Sequence, residues 1–220
     1  MCSRGNPEEC FKATDSLLSK SRKTDLAIIL DNDDEALNIY KGNLRFSYRY
    51  LFSDQNSLTE KINNVALNNI DKYEYFHLTN DDVLYQTDFW DEIFMDTLKM
   101  KGPGIVYGND LFQGQGLCTF PFVSKEIIKA LGWLQMPLLN KFFGDTVWMN
   151  IGKNSNCLHY HPAVIIEHLH FLNNKRKNPN EEEMTKYIET YNHDRHQFMK
   201  WLVNSEKDIQ KVRDICLTLK

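Results

Sequence analysis

Two short apolar runs in this chain end in clusters of short acids. Residues 25–30 read DLAIIL and lead into Asp31-Asn32-Asp33-Asp34, while residues 73–82 read YEYFHLTNDD. DLAIIL is nearly continuously apolar, the pattern of a strand buried on both faces in a parallel sheet, while residues 73–82 alternate aromatic and aliphatic side chains before their acids. Carboxylates delivered to the ends of such strands lie in the crevice where open α/β sheets bind ligands. Between the two runs, amphipathic spacing predicts a helix over residues 57–69, and strand, helix, strand in that order predicts an α/β fold.

The rest of the chain fits that frame. Pro7, Glu8 and Glu9 open a helix over residues 7–19, since proline and acids suit a first turn. Residues 88–100 put Phe89, Ile93, Phe94 and Leu98 on one stripe, and Gly102-Pro103-Gly104 stops that helix. Short strands are expected at residues 105–107 and 118–123, the second bent or at an edge because of Pro121. Ser124 stands in capping position for a helix over residues 124–131. Residues 163–171 form the last expected strand, with Val164, Ile166, His168 and His170 on one face. Beyond it the composition turns charged. Asn178 caps a long helix reaching about residue 202, and a final helix covers residues 206–219. Residues 1–172 are thus expected to form one domain and residues 173–220 a helical extension.

Composition narrows the class. A chain of 220 residues, 42% hydrophobic and 25% charged, is long enough for one sizeable core and reads as soluble and globular. A net charge of -4 gives no electrostatic reason to expect a nucleic acid. The five cysteines are scattered without zinc spacing, which suits free thiols in a reducing compartment and sets a cytoplasmic expectation. No apolar run approaches the roughly 18 to 20 residues that span a bilayer.

Four constellations could carry chemistry. Asn80, Asp81 and Asp82 form the first. Short acids at a strand end can hold a hard divalent ion while water and phosphate fill its other positions, although Asn and Asp also favour turns and caps. The second is Asp31 to Asp34, at the end of the other apolar run. The third is Glu167-His168-Leu169-His170, where two imidazoles project the same way and one can ligate a metal while the other orients it. His159 and His161 repeat the spacing and open a rival zinc reading. The fourth is Gly144-Asp145-Thr146, in which Asp145 serves either as a helix cap or as a general base on an acceptor hydroxyl. Arg4 and Lys61 are cations near predicted strand ends, of a kind that pairs with diphosphates. Phe112, Phe120, Phe122 and Trp133 suggest either a sugar-stacking surface or core. No GxxxxGK[ST], GxGxxG, GxSxG or HExxH occurs, so those phosphate-loop, dinucleotide, hydrolase and zincin signatures are missing.

In order and spacing, SRGNPEECFKATDSLL, LAIILDNDD and LTEKINNVALNNIDKYEYFHLTNDDV together resemble GT-A-fold glycosyltransferases, particularly small family 2-like enzymes of bacteria, phages and large viruses. The likeness runs from Ser3 to about Phe171. It implies a single Rossmann-like domain with a central, mostly parallel sheet flanked by helices. It also implies transfer of a sugar from a UDP- or GDP-sugar to a glycan or other acceptor hydroxyl, as a metal-dependent hexosyltransferase. By position, Arg4, Asp31 and Asp33 would lie near the base and ribose, and Lys61 near the nucleotide. Asp82 would bind Mn2+ or Mg2+ with support from Asn80 and Asp81, as a DxD-like element. Asp145 would be the acceptor-side base, consistent with inversion, and His170 or His168 would add a metal or phosphate contact.

Two features depart from the family pattern. Asn80 stands where the first aspartate of a DxD is usual, and Met1-Cys2-Ser3 leaves little room for a first strand, which is either vestigial or completed by residues upstream. A nucleotidyltransferase, or a catalytically inactive nucleotide- or sugar-binding module of the same fold, is the alternative.

Overall fold

The computed structural model of the protein describes residues 1–43, 48–53 and 57–218. In chain order its elements are α1 (Pro7–Ser19), β1 (Leu26–Asp31), α2 (Leu37–Gly42), β2 (Tyr48–Ser53), α3 (Leu58–Asn68), β3 (Tyr75–His77), β4 (Val83–Tyr85) and α4 (Trp90–Lys101). Then follow β5 (Ile105–Asn109), β6 (Phe122–Ser124), α5 (Lys125–Leu131), α6 (Gly144–Asn154), β7 (Leu158–His168), α7 (Glu181–Asn204) and α8 (Glu206–Thr218).

Local chemistry explains most helix ends. Pro7 and two glutamates open α1, which buries Cys10, Ala13, Thr14 and Leu17; the acids face the positive end of the helix dipole. The Ser57 side chain accepts from the Glu60 backbone N–H at the start of α3. Gly132, at φ +81°, closes α5 in the left-handed region. The long helix starts later than the sequence suggests, because Asn180 rather than Asn178 caps it through a reciprocal capping box with Glu183. Residue 219, the expected end of the last helix, lies outside the described residues.

The sheet is mixed, which corrects the expectation of a mostly parallel one. Its order is β3-β6-β5-β7-β4; β5 and β7 are parallel, while β3/β6, β5/β6 and β4/β7 are antiparallel. Parallel neighbours need a long crossover, and β5 reaches β6 through a loop instead. β1 and β2 pair in parallel as a separate unit. Met1, Cys2 and Ser3 lie along β1, with a parallel bridge between Cys2 and Ile29, so these three residues occupy the first-strand position.

β7 begins at Leu158, five residues before the expected start. It runs through Pro162 because the register with β5 shifts between Gly108 and Asn109, a bulge that absorbs the missing N–H. A Cβ at Gly108 would sit 2.5 Å from the Val164 carbonyl oxygen, so the close approach of the two strands requires glycine there.

Two apolar clusters form the core. One gathers Cys10, Leu17, Ile28, Leu30, Trp90, Phe94, Val106, Val164 and Ile166. The other gathers Ile105, Ile127, Ile128, Val147, Trp148 and Ile151, together with Phe198 of α7 and Ile209, Val212 and Cys216 of α8. Phe120, Phe122 and Trp133 belong to this core at 5%, 5% and 7% exposure, which removes them from a sugar-stacking surface. Among the described residues no helix is long and apolar enough to cross a membrane.

Candidate active site

Pairing of β4 with β7 builds the centre of the site. Val83 faces His168 in the antiparallel register, and the Leu169 N–H donates to the Asp82 carbonyl at 2.8 Å. That register brings Asp82 Oδ2 to 3.5 Å from His168 Nε2. Arg176, on the segment leading to α7, approaches the same oxygen at 3.6 Å through one guanidinium nitrogen and pairs with Glu9 of α1 through the other. Burial alone would push the Asp82 carboxyl up, but His168 and Arg176 outweigh it and hold the group below the usual carboxylate range.

Asp82 Oδ1 and His168 Nδ1 are buried and have no hydrogen-bond partner. Leaving a buried polar atom unpaired costs about 1–3 kcal/mol, so the pair would gain from a ligand. Phe120 packs edge-on to the His168 ring at 5.1 Å, and His170 lies 5.2 Å from His168. His170 is not on the strand as expected. It follows the end of β7, where its Nδ1 accepts from the Leu172 N–H and caps a short 3-10 turn. Burial, with His168 adding, lowers the His170 pKa, and Phe112 stacks on the ring with the planes 15° apart.

Asp145 is the second residue of α6, two positions beyond Phe143, which caps the helix at φ +67°. A Cβ at Gly144 would lie 2.5 Å from the buried Gln135 side-chain amide, so glycine lets the helix start there. Burial pushes the Asp145 carboxyl up, and hydrogen bonds from the Thr146 N–H and hydroxyl, with His168 nearby, offset this only in part.

Asp110 was missed by sequence reasoning. It is 1% exposed; its Oδ1 accepts the N–H groups of Phe112, Gln113 and Gly114, and its Oδ2 is buried without a partner. Its carbonyl accepts the His168 N–H at 3.0 Å, which brings it to the same end of the sheet. Leu111, Phe120 and Phe143 all have positive φ, at 56°, 55° and 67°. Such strain costs of order 1–3 kcal/mol per residue and tends to collect at functional sites; here it flanks Asp110, Thr119 and Gly144-Asp145.

The remaining predicted residues divide. Arg4, Asp31, Asp33 and Lys61 come together, with the Arg4 guanidinium bonded to Asp31 at 2.6 Å and to Asp33 at 2.7 Å, and Lys61 paired with the other Asp31 oxygen. This cluster adjoins the centre through Ser3, the residue before Arg4, whose hydroxyl donates to Asp81 at 2.6 Å. Asp81 is thereby tied to Ser3 rather than paired beside Asp82 as a second ligand. Burial, against the Ser3 bond and with Asp82 adding, pushes its pKa up to about 6. Asn80 is exposed.

His161 bonds Thr97 at 2.7 Å near the start of β7, while His168 ends the strand. The two histidine pairs therefore do not share a zinc site. Among the described residues no three His, Cys, Asp or Glu side chains gather as a complete ligand set. Asp82 and His168 supply two donors, which fits a cation completed by phosphate and water rather than one enclosed by protein.

Solved structures share this architecture, among them three of one protein. The crystal structure of Staphylococcus aureus TarS 1-349 matches with a TM-score of 0.52 and 10% identity, over 75% of this chain and 57% of that one. Its complex with UDP gives 0.53 and 10% over the same shares. A further structure of S. aureus TarS gives 0.52 and 12%, over 75% of this chain and 35% of that one. This chain thus spans little more than half of the first two. No family model matches, and no curated protein does. At this identity the likeness shows the fold alone, a GT-A-like one.

Proposed function

We propose that the chain is a metal-dependent glycosyltransferase of hexosyltransferase type that moves a sugar from a UDP- or GDP-sugar to a glycan or other acceptor hydroxyl with inversion. The observation that carries this reading is the pair of partnerless buried atoms, Asp82 Oδ1 and His168 Nδ1, near the half-buried acid Asp145, whose carboxyl is pushed up by burial. The GT-A-like fold and the UDP complex of a structural neighbour support it.

On this reading Asp82 and His168 hold Mn2+ or Mg2+, with His170 beside them. The bound cation would neutralise charge that develops on the leaving diphosphate. Arg4, Asp31, Asp33 and Lys61 contact the nucleoside side, and Arg176 supplies a guanidinium next to the diphosphate. Asp145 takes the acceptor proton as the acceptor oxygen bonds to the anomeric carbon and the carbon–oxygen bond to the diphosphate breaks. Its raised pKa makes it a better proton acceptor than an ordinary aspartate. Residues 1–172 form the transferase domain and carry the site except for Arg176, which the helical extension of residues 173–220 contributes.

Calorimetry with UDP- and GDP-sugars, with and without Mn2+, tests the reading. Nucleotide binding tightened by Mn2+, followed by transfer or donor hydrolysis, is expected. No nucleotide binding under any condition would sink it. The exposed Asn80 favours one second reading, an inactive binding module, which would bind nucleotide without turning it over.

A further inference from the structure

One face of α7 grips the segment that leads into Asp145. Asp194, 0% exposed in the middle of that helix, accepts the backbone N–H of Asn140 at 2.9 Å, of Lys141 at 2.7 Å and of Phe142 at 2.8 Å. Three consecutive amides aimed at one carboxylate fix the path of the backbone, because each is a charge-assisted bond with its own direction. One turn to either side along α7, Tyr191 and Phe198 hold the next residue: Phe143 lies 5.1 Å from the Tyr191 ring and stacks on Phe198 at 5.3 Å with the planes 14° apart.

Phe143 is the residue at φ +67° that starts α6. A left-handed conformation at a bulky residue persists only where its surroundings enforce it. Here they are supplied by Tyr191, Asp194 and Phe198, spaced to share one helix face. After Phe143 only Gly144, lodged against Gln135, intervenes before Asp145. The same helix also reaches the histidine end of the site, since Tyr187 packs edge-on to Phe171 at 5.5 Å and to Phe142 at 4.7 Å.

We propose that Asp194 is a positioning residue for Asp145, and that α7 sets the geometry of proton removal from the acceptor. The catalytic part of this proposal rests on the glycosyltransferase reading; the mechanical part does not. Misplacing a reacting group by about 1 Å can cost about 10²-fold in rate.

Two measurements test it. Hydrogen exchange of the full chain compares wild type with Asp194→Asn, which keeps the size of the side chain. Faster exchange at the amides of residues 140–147, with α1 and β1 unchanged, is expected. Unchanged exchange at residues 140–147, or exchange raised everywhere, would overturn the proposal whatever reaction the protein performs. The second measurement is a kinetic cycle. Asp194→Asn is expected to lower kcat about 10²-fold with donor affinity within twofold of wild type, and to cause no further loss in an Asp145→Asn background. Additive losses, or an equal fall in donor affinity, would mean that Asp194 only stabilises the fold. If wild type binds no nucleotide sugar, the functional reading falls and the exchange experiment still decides the mechanical claim.

Discussion

The acidic clusters after β1 and after β3 look alike as sequence, DNDD and NDD, but the structure leaves them in opposite electrostatic states. Asp31 and Asp33 are matched by Arg4 and Lys61, and Asp33 is 77% exposed. Asp82 is 12% exposed, shares one oxygen between His168 and Arg176, and has its other oxygen buried without a partner. In the first cluster Arg4 and Lys61 balance Asp31 and Asp33, and at its exposed Arg4–Asp33 edge water and salt can replace a lost contact. The second keeps unspent hydrogen-bonding capacity in a dry place, next to acids whose pKa burial has raised and turns held in strained conformations. Acids at a strand end are therefore a weak signal; acids left incompletely paired by the fold are a stronger one.

Substitutions can break or sharpen this contrast. The largest effect is expected at Asp145→Asn, where transfer should fall about 10²- to 10⁴-fold while donor binding is kept. Asp145 must be ionised to accept a proton, and its pKa is raised. Wild-type kcat should therefore fall as pH drops, through a limb lying above the ordinary aspartate range, and the variant should lack that limb. A wild-type profile flat down to about pH 4 would remove Asp145 from the proposed role.

Next come Asp82→Asn and His168→Ala, each expected to cost about 10²- to 10³-fold in turnover together with the Mn2+ dependence of nucleotide binding. Equal Mn2+ dependence in wild type and both variants would break the contrast between the clusters.

Asp81→Asn should act on stability instead, and in the favourable direction. The folded pKa of about 6 exceeds the ordinary 3.8, so the stability linked to its proton is fully present below about pH 4 and is lost as pH rises through about 6. Denaturant titration should find the variant equal to wild type near pH 4 and more stable above pH 6, by up to about 3 kcal/mol. A variant less stable than wild type at pH 7.5 would contradict this. The smallest effect on stability is expected at Arg4→Ala. Its guanidinium is half exposed, and the resulting change in Tm should be small and vanish in high salt.

Local elements were legible where periodicity and punctuation were strong. Residues 7–19 and 206–218 carry clear helical spacing, and DLAIIL marks β1. The short elements α2, β2 and β4 were not, because three to six residues give little period to read and β-pairing depends on distant partners. Sheet order was hidden for the same reason: only the structure shows that β4 pairs with β7, and this pairing puts Asp82 beside His168. Asp145, His168 and Asp82 were chosen from sequence because each sits beside a glycine, a second histidine or further acids. Asp110 is a lone charge in a loop, while Arg176 lies within Lys175-Arg176-Lys177 and Asp194 next to Arg195, and no spacing separates any of them from solvated surface. For the clustered aromatics sequence left two readings open, and the fold decides between them: Phe120, Phe122 and Trp133 are core.

The most direct test of the central claim is electron paramagnetic resonance of Mn2+ titrated with nucleoside diphosphate into the wild-type protein and into Asp82→Asn. The signal of the free aquo ion should fall on addition of wild type with nucleotide, and should fall far less with the variant at equal concentration. A wild-type protein that leaves the signal unchanged, or a variant that quenches it equally, would contradict a cation site built on Asp82 and His168.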